Sequence, residues 1–337
     1  MNKNTRSSED YPIDFVLIWV DGSDPEWRKE FNKMKGIDGD ARDERFRDMD
    51  TLKYWFRGIE KYANWYNKLY FVTCGQKPEW LNTEHPKLVC VNHKDFIPEQ
   101  YLPTFSSHAI EINLHRINSL SEHFVYFNDD TFITAPTTRD DFFKKGLPCD
   151  SAVINYSAPK IEPLNLVPFV NAAAINRNFS KKKVMRQQAR KLFTLKYHKY
   201  VLKNIQFIMG KWFPGFKYFH IPSSFLKSTF YDVWEKEPEL MERTSSHQLR
   251  VLTDANQWLM QNWQICTGRF MPRNTNISYY GSIEDEKRLY ETVKAIRSQK
   301  YKILCANDAD IENFELLRKE LTAAFEEVLP EKSSFEI

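Results

Sequence analysis

Four short apolar runs punctuate the first 135 residues, and each gives way to polar residues. Ile13–Val20 (IDFVLIWV), Lys68–Thr73 (KLYFVT), Lys87–Val91 (KLVCV) and Phe124–Phe127 (FVYF) are short and rich in β-branched and aromatic residues, so they read as buried strands. Between them the period changes. Leu52, Trp55, Phe56, Ile59 and Ala63 recur at helical spacing after Asp50, a potential N-cap, and Ile110, Leu114 and Ile117 mark one face of a helix over Ser106–Leu120. Strand alternating with helix predicts an α/β fold: a Rossmann-like, mostly parallel sheet flanked by helices. Ligands of such sheets bind beyond the carboxyl ends of the strands. Here those ends are Asp21-Gly22-Ser23-Asp24 and Asn128-Asp129-Asp130, so two acidic clusters are expected to converge on one crevice. Further along, 177–217 reads as helical and basic, Ile283–Arg297 as a charged helix, Tyr301–Cys305 as a strand ending in Asn307-Asp308, and Ile311–Val328 as a final helix. Residues 32–50 read as an exposed loop. The expected organisation is a tail over 1–10 and one catalytic domain over 11–337, with a basic, mostly helical insertion at about 160–217.

Composition removes several classes. With 42% hydrophobic residues in 337, the chain is too apolar for disorder and long enough for a substantial core. No run approaches the ~20 apolar residues of a membrane-spanning helix, and MNKNTRSSEDYP lacks the apolar stretch of a signal peptide. The five cysteines have no CxxC spacing, so they read as reduced thiols in a cytoplasmic protein. Neither GxGxxG nor GxxxxGK[ST] occurs, which removes the common glycine-rich phosphate loops.

Charge matters by segment. Net charge is +3, yet residues 163–231 hold 13 Lys/Arg and no Asp or Glu, leaving 35 basic against 45 acidic residues elsewhere. Such a block suits a polyanion. Its interleaved apolar residues favour an anionic membrane surface, met through 177–217, over nucleic acid, for which no binding-module signature is present.

Paired carboxylates at Asp129 and Asp130, following a hydrophobic strand, suit Mg²⁺ or Mn²⁺, which take oxygen ligands and bridge nucleotide phosphates. A strand-end turn would use the same residue types, as would the acidic turn at Asp21–Asp24. His108, Glu111 and His115 share one helical face, a pattern equally suited to a solvated stripe. Arg45, Arg47 and Arg57 could fork onto phosphates or pair with surface acids. His220, in HIPSSF, is a lone histidine between aromatic segments.

The longer stretches resemble a known family. IDFVLIWVDGSDPEW at 13–27 closely resembles the first block of the Stealth family of sugar-phosphate transferases. RFRDMDTLKYWFRGIEKYANW at 45–65, YFVTCGQKPEWLN at 70–82 and LPTFSSHAIEINLHRINSLSEHFVYFNDDTF at 102–132 resemble the second. HIPSSFLKSTFYDVWEKEPELMERTSSHQLR at 220–250 resembles the third, and CANDADIENFELLRKEL with LPEKSSFE, within 305–336, the fourth. The resemblance implies transfer of a hexose-1-phosphate from a nucleotide sugar, usually a UDP-sugar, to a sugar hydroxyl of a glycan acceptor, with Mg²⁺ or Mn²⁺ present. The acceptor would be a growing or lipid-linked glycan. By position it implies substrate contacts at Asp21, Gly22, Asp24, Arg47, Asp48, Glu111, His115, Arg116 and Asn307, and metal ligands at Asp129, Asp130 and Asp308. His220 is then the expected base, with Asp130 in reserve, and Arg250 the group stabilising charge on the attacked phosphate. MDTLKYWFRGI and CANDAD depart from the usual form of their blocks, and no large inserted regulatory domain is visible. Paired aspartates also serve glycosyltransferases that release nucleoside diphosphate, and a non-catalytic polyanion-binding protein would use the basic segment alone.

Overall fold

The computed structural model describes residues 11–34, 48–156, 166–308 and 312–337. Its main sheet joins β1 (Ile13–Ile18), β2 (Leu69–Thr73), β3 (Leu88–Asn92), β4 (His123–Phe127) and a strand at Ser223–Leu226. β5 (Thr131–Ile133), β6 (Phe143–Lys144) and β7 (Leu147–Asp150) follow β4; the sheet's fifth strand is thus β8, and β9 (Met271–Pro272), β10 (Ser278–Ile283) and β11 (Ile303–Asp308) complete the set. The order is β3-β2-β1-β4-β8. The first four strands run parallel and β8 runs antiparallel to β4. The mixed, mostly parallel α/β architecture read from the sequence is therefore present.

Both faces of this sheet are covered, which explains why its strands are continuous apolar runs rather than alternating ones. Phe15, Leu17, Phe71, Val125 and Phe127 point into one core, against helices Leu52–Tyr62, Glu286–Ser298 and Phe314–Val328. Val16, Tyr70, Val72, Phe124 and Tyr126 point into the other, against helices Ser107–Asn113, Lys227–Lys236, Pro238–Ser246 and Gln257–Thr267. The C-terminus is clasped to the first core: Arg57 Nε and Nη2 donate to Glu336 at 2.8 and 2.9 Å, and Nη1 donates to the Leu329 carbonyl at 2.8 Å. Arg57 is thus a structural residue rather than a phosphate fork.

Several boundaries move for local reasons. A helix spans Pro25–Lys33 within what read as turn and loop; Asp24 caps it, accepting from Trp27 N at 2.9 Å, with proline at the first helical position. The Leu52 helix follows Thr51, and Asp50 is left-handed (φ 54°) rather than the cap. The helix expected over Ser106–Leu120 ends at Asn113 and tightens into a 3₁₀ turn over Leu114–Arg116. β10 precedes the charged helix, which begins at Glu286, and the last helix begins at Phe314.

The basic segment is helical in pieces: Val167–Asn178, Lys181–Gln187, Ala189–Leu192 and Val201–Gln206, with a 3₁₀ stretch at Leu195–Tyr200. Buried Asn204 pins it to the body. Its amide donates to the Ala152 and Leu192 carbonyls at 2.8 and 2.7 Å, and its oxygen accepts from Ile154 N at 2.7 Å. No helix among the described residues is long and apolar enough to cross a membrane.

Candidate active site

The turn between β4 and β5 builds the centre of the site. Thr131 closes it, donating from N and Oγ1 to the Asn128 carbonyl at 3.1 and 2.7 Å. Ala306 N then donates to the Asp130 carbonyl at 2.9 Å, which sets the turn beside β11. Alternation along β11 puts Cys305 and Asn307 on one face, and both meet the same carboxylate. Asp130 Oδ2 accepts from Asn307 Nδ2 at 3.0 Å and from Cys305 Sγ at 3.5 Å, and faces His220 Nε2 at 3.1 Å. Asn128 Nδ2 is 3.4 Å from the same histidine nitrogen. His220 arrives from the turn ahead of β8 in a left-handed conformation (φ 45°), a strained state for a non-glycine residue that packing must hold.

The electrostatics follow from this crowding. Burial alone would raise Asp130, but the charge and hydrogen bond of His220, with Asn307 and Cys305, hold its pKa below the ordinary value. Burial likewise opposes the charged form of His220, and Asp130, Glu111 and Asp129 together outweigh it, so its pKa is raised. The Cys305 thiol is pushed well above its usual range by burial and by Asp130; it stays protonated and donates. Asp129 is open to solvent by surface area yet ringed by protein, and this enclosure, then the charge of Asp130, pushes it up to about 7 against the relief given by Arg250.

A cleft of about 1430 Å³ is lined by Glu111, His220, Arg250 and Asn307 from the expected set; Asp129 and Asp130 are not in its lining, and Asp130 reaches it through His220 and Asn307. Glu111 is held from two sides: Tyr126 OH donates to Oε1 and Gln257 N to Oε2, both at 3.1 Å. The two acidic clusters end neighbouring strands, β1 and β4, but they do not share one crevice: Asp24 lines a separate pocket, and no aspartate of either cluster lines the large cleft. Asp48 feels the charge of Asp21, and Asp129 feels that of Asp48. Enclosure raises the Asp48 pKa, although its side chain is exposed and accepts from Asp50 N.

Other expected residues are occupied elsewhere. Asp21 Oδ1 accepts from Ser23 N and Oγ at 2.8 and 2.6 Å, while Gln76 brackets its backbone. The Gly22 carbonyl accepts from Arg28, and Asp24 caps its helix on the wall of a separate 710 Å³ pocket. His115 and Arg116 lie in the tightened 3₁₀ turn, away from the large cleft. His115 packs among Phe230, Tyr231 and Trp234, and burial drops its pKa to about 3; Arg116 lies over the Trp234 ring. Asp308 ends β11. Arg47, with Arg45, falls outside the described residues.

Over 11–38 the chain matches the model described as Stealth protein CR1, conserved region 1, and over 45–149 that of CR2, conserved region 2. It is 42% identical over 329 residues to a capsular polysaccharide phosphotransferase WcwK of Streptococcus pneumoniae, covering 96% of this chain and 98% of that one. The chain belongs to the Stealth protein family. It is also 37% identical to the receptor polysaccharide phosphotransferase WefC of Streptococcus oralis, over 96% of this chain and 99% of that one. To the exopolysaccharide phosphotransferase cps2G of Lactiplantibacillus plantarum it is 38% identical, over 98% of each chain. In family terms, Asp48, Glu111, Asp129 and Asp130 lie inside the second matched region, whereas His220, Arg250 and Asn307 lie beyond both.

One cluster escaped the sequence reading. Asp254, fully buried, accepts from Val251 N at 2.8 Å and faces His108 Nδ1 at 3.1 Å and His247 Nδ1 at 2.6 Å. This fixes the backbone next to Arg250 and turns His108 to the cleft wall. His108 and Asp254 are 146 residues apart, so no local pattern could have paired them.

The donor set fits a hard divalent cation. Asp130 Oδ1 is buried with no hydrogen-bond partner among the described residues, and the pKa of Asp129 beside it is raised by burial and then by the charge of Asp130. Asp130, His220 and Cys305 together offer oxygen, nitrogen and sulfur donors. The free Asp130 oxygen and the neighbouring Asp129 carboxylate are the kind of donors Mg²⁺ or Mn²⁺ takes.

Proposed function

We propose that this protein transfers a hexose-1-phosphate from a nucleotide sugar, a UDP-hexose or UDP-N-acetylhexosamine, to a sugar hydroxyl of a growing surface polysaccharide. The product is a phosphodiester, and nucleoside monophosphate is released. The observation that carries this reading is the Asp130–His220 pair at the cleft, in a chain that aligns end to end with polysaccharide phosphotransferases.

In this mechanism the acceptor hydroxyl attacks the phosphorus that bears the sugar. A new phosphorus–oxygen bond forms, the bond to the bridging oxygen of the diphosphate breaks, and the nucleoside monophosphate leaves with that oxygen. His220 takes the hydroxyl proton. Its Nε2 faces Asp130, which leaves Nδ1 for this task and gives the ring the proton affinity a base requires. Arg250 stabilises charge on the attacked phosphate, and Asn307 and Glu111 hold polar groups of the substrates. Asp129, Asp130 and Asp308 would hold Mg²⁺ or Mn²⁺, whose chemistry is to neutralise charge on the diphosphate. Asp21, Gly22, Asp24, Arg47 and Asp48 extend the donor side. His115 and Arg116 act through helix packing in this reading.

The basic segment supports docking on an anionic membrane, at the cytoplasmic face where a lipid-linked acceptor is presented. Leu195, Leu202, Ile205, Ile208, Met209 and Trp212 are exposed, Leu195 by 87% and Met209 by 83%, among lysines that suit anionic headgroups. Co-sedimentation with anionic vesicles at low salt is expected, and its absence removes the membrane from this reading.

The deciding experiment incubates protein, Mg²⁺, a panel of UDP-hexoses and a glycan acceptor, and identifies the released nucleotide. UMP with a phosphodiester phosphorus signal is expected. UDP would mean a glycosidic bond and a glycosyltransferase instead.

A further inference from the structure

The basic arm has a second face. Lys199, Tyr200, Lys217 and Phe219 line the cleft that holds His220 and Arg250, whereas the exposed apolar residues of 195–212 do not. Lys217 is fixed by its backbone: its N–H donates to the Val153 carbonyl at 2.8 Å beside the Ile154–Phe216 bridge. Its ammonium lies over the rings of Tyr200 and Phe219, at 5.5 and 5.2 Å, and Lys199 also lies over Tyr200. The charges acting on Lys217 are those of Lys203 and Lys199, all positive, and with burial they lower its pKa. Residues 163–231 contain no acid to offset them, and the acid lining this cleft among the described residues is Glu111, already held by Tyr126 and Gln257. A partly enclosed set of like charges is unfavourable alone and becomes favourable when an anion enters.

Lys217 also has a fixed reach from the reacting centre. Two residues lie between it and His220, so the two Cα atoms are at most about 10 Å apart. Both side chains line the same cleft, within the span of an acceptor a few sugars long. A nucleotide sugar carries one diphosphate, for which Arg250 beside Asp129 already offers a cation. The arm lysines form a second cationic centre and call for a second anion.

We infer that Lys199 and Lys217 form a phosphate subsite for the acceptor, holding a phosphate or diphosphate group within a few sugars of the hydroxyl that reacts. The aromatic rings beneath the lysines would carry the intervening sugar. This rests on the phosphotransferase reading and deepens it: the enzyme would select acceptors already bearing phosphate. That phosphate has two sources, an internal phosphodiester of the growing polymer or the diphosphate that joins the first sugar to a lipid carrier.

The test compares three acceptors of one oligosaccharide sequence: neutral, carrying an internal phosphodiester, and carrying a reducing-end diphosphate with a short alkyl chain. KM values are measured for wild type and for the Lys199→Gln/Lys217→Gln double variant by nucleoside monophosphate release. Wild type is expected to prefer one phosphorylated acceptor, and which one names the source. The double variant is expected to raise the KM of that acceptor about 10- to 100-fold, the worth of one or two hydrogen bonds to charge, so that the preference over the neutral acceptor collapses. An equal rise in donor KM would assign the lysines to the donor diphosphate and overturn the subsite. So would a preference that survives the substitutions. If wild type releases no nucleoside monophosphate with any acceptor, the phosphotransferase reading fails separately. Calorimetric titration with inorganic pyrophosphate then judges the subsite: binding lost in the double variant sustains it, and binding that is absent or unaltered overturns it.

Discussion

The two walls of the cleft treat charge in opposite ways. On the strand-end wall and the helix beside it, groups are already partnered inside the protein: Asp130 meets His220, Asn307 and Cys305, and Glu111, on the helix Ser107–Asn113, meets Tyr126 and Gln257. On the arm, Lys199 and Lys217 both lie over the Tyr200 ring, and among the described residues the charges acting on Lys217 are like charges. The contrast separates two tasks. Groups that act on a reacting atom must be held before the substrate arrives, since reorganising them during reaction costs rate. Groups that collect a ligand gain most when the ligand itself supplies the missing partner.

The sharpest way to break this contrast is at Asp130. Asp130→Asn removes the charge that organises His220 and one oxygen ligand of the proposed metal. Turnover is expected to fall by about 10⁴-fold or more, the combined loss of base orientation and charge stabilisation, with circular dichroism unchanged. A fall of less than tenfold would show that the strand-end wall is not where the chemistry occurs. Next comes His220→Ala, expected to lower kcat by about 10²- to 10⁴-fold while nucleotide-sugar binding by calorimetry persists. If donor binding vanishes instead, or if the Mn²⁺ concentration for half-maximal activity rises sharply, His220 is a ligand to the metal or donor rather than the base.

The strand-end wall was largely legible in the sequence and the arm's inner face was not. β1, β2, β3 and β4 are buried on both faces, so each announced itself as an unbroken apolar run, and the polar residues that follow had to lie at the sheet's carboxyl edge. Asp129 and Asp130 came within reach of reasoning this way, whereas His220, ahead of β8, stood out only through the family resemblance. Asp24-Pro25 carried a helix start that was read as a turn, because a capping aspartate and a turn aspartate look alike without the helix behind them. β10 (SYYGSI) has too little apolar character to stand out, and its burial depends on pairing with β11. The helix over Ser106–Leu120 was overextended because apolar spacing alone does not report the tightening at Leu114, which takes His115 and Arg116 away from the cleft. In the arm, composition revealed the positive charge. It could not reveal that Lys217 faces inward, which depends on the bridge between Ile154 and Phe216.

A third region sharpens the comparison by closing charge off altogether. Arg57 and Glu336, both nearly buried, satisfy one another and face no ligand. Arg57→Met should therefore leave kcat near wild type and lower unfolding free energy by ~3–5 kcal/mol, the cost of stranding one member of a buried pair. Burial alone would raise the Glu336 pKa, but the Arg57 and Ser333 hydrogen bonds hold it below the ordinary value. A carboxyl with a depressed folded pKa stabilises above its unfolded value and loses that contribution as pH falls through the folded one. The stability gap between wild type and Glu336→Gln should thus be full above about pH 5, begin to narrow near the free glutamate value, and close only as pH falls through the depressed folded pKa. A gap that widens in acid would mean that Glu336 is held protonated.

The smallest effect tests the contrast most directly, because it leaves the sequence intact. Charges that meet mobile ions are screened within about 10 Å at 0.1 M salt, whereas an enclosed pair such as Asp130–His220 is shielded from those ions. Raising NaCl from about 0.05 to 0.5 M should therefore raise the KM of a phosphorylated acceptor by about three- to tenfold, while kcat moves by less than twofold. In Lys199→Gln/Lys217→Gln the salt slope of that KM should flatten, because the screened partners are gone. A slope that stays as steep in the double variant would place the salt-sensitive contact on Arg250 or on other lysines of the arm. A kcat that falls with salt as steeply as KM rises would mean that the strand-end wall is as open to ions as the arm, and the division of labour between the two walls would not hold.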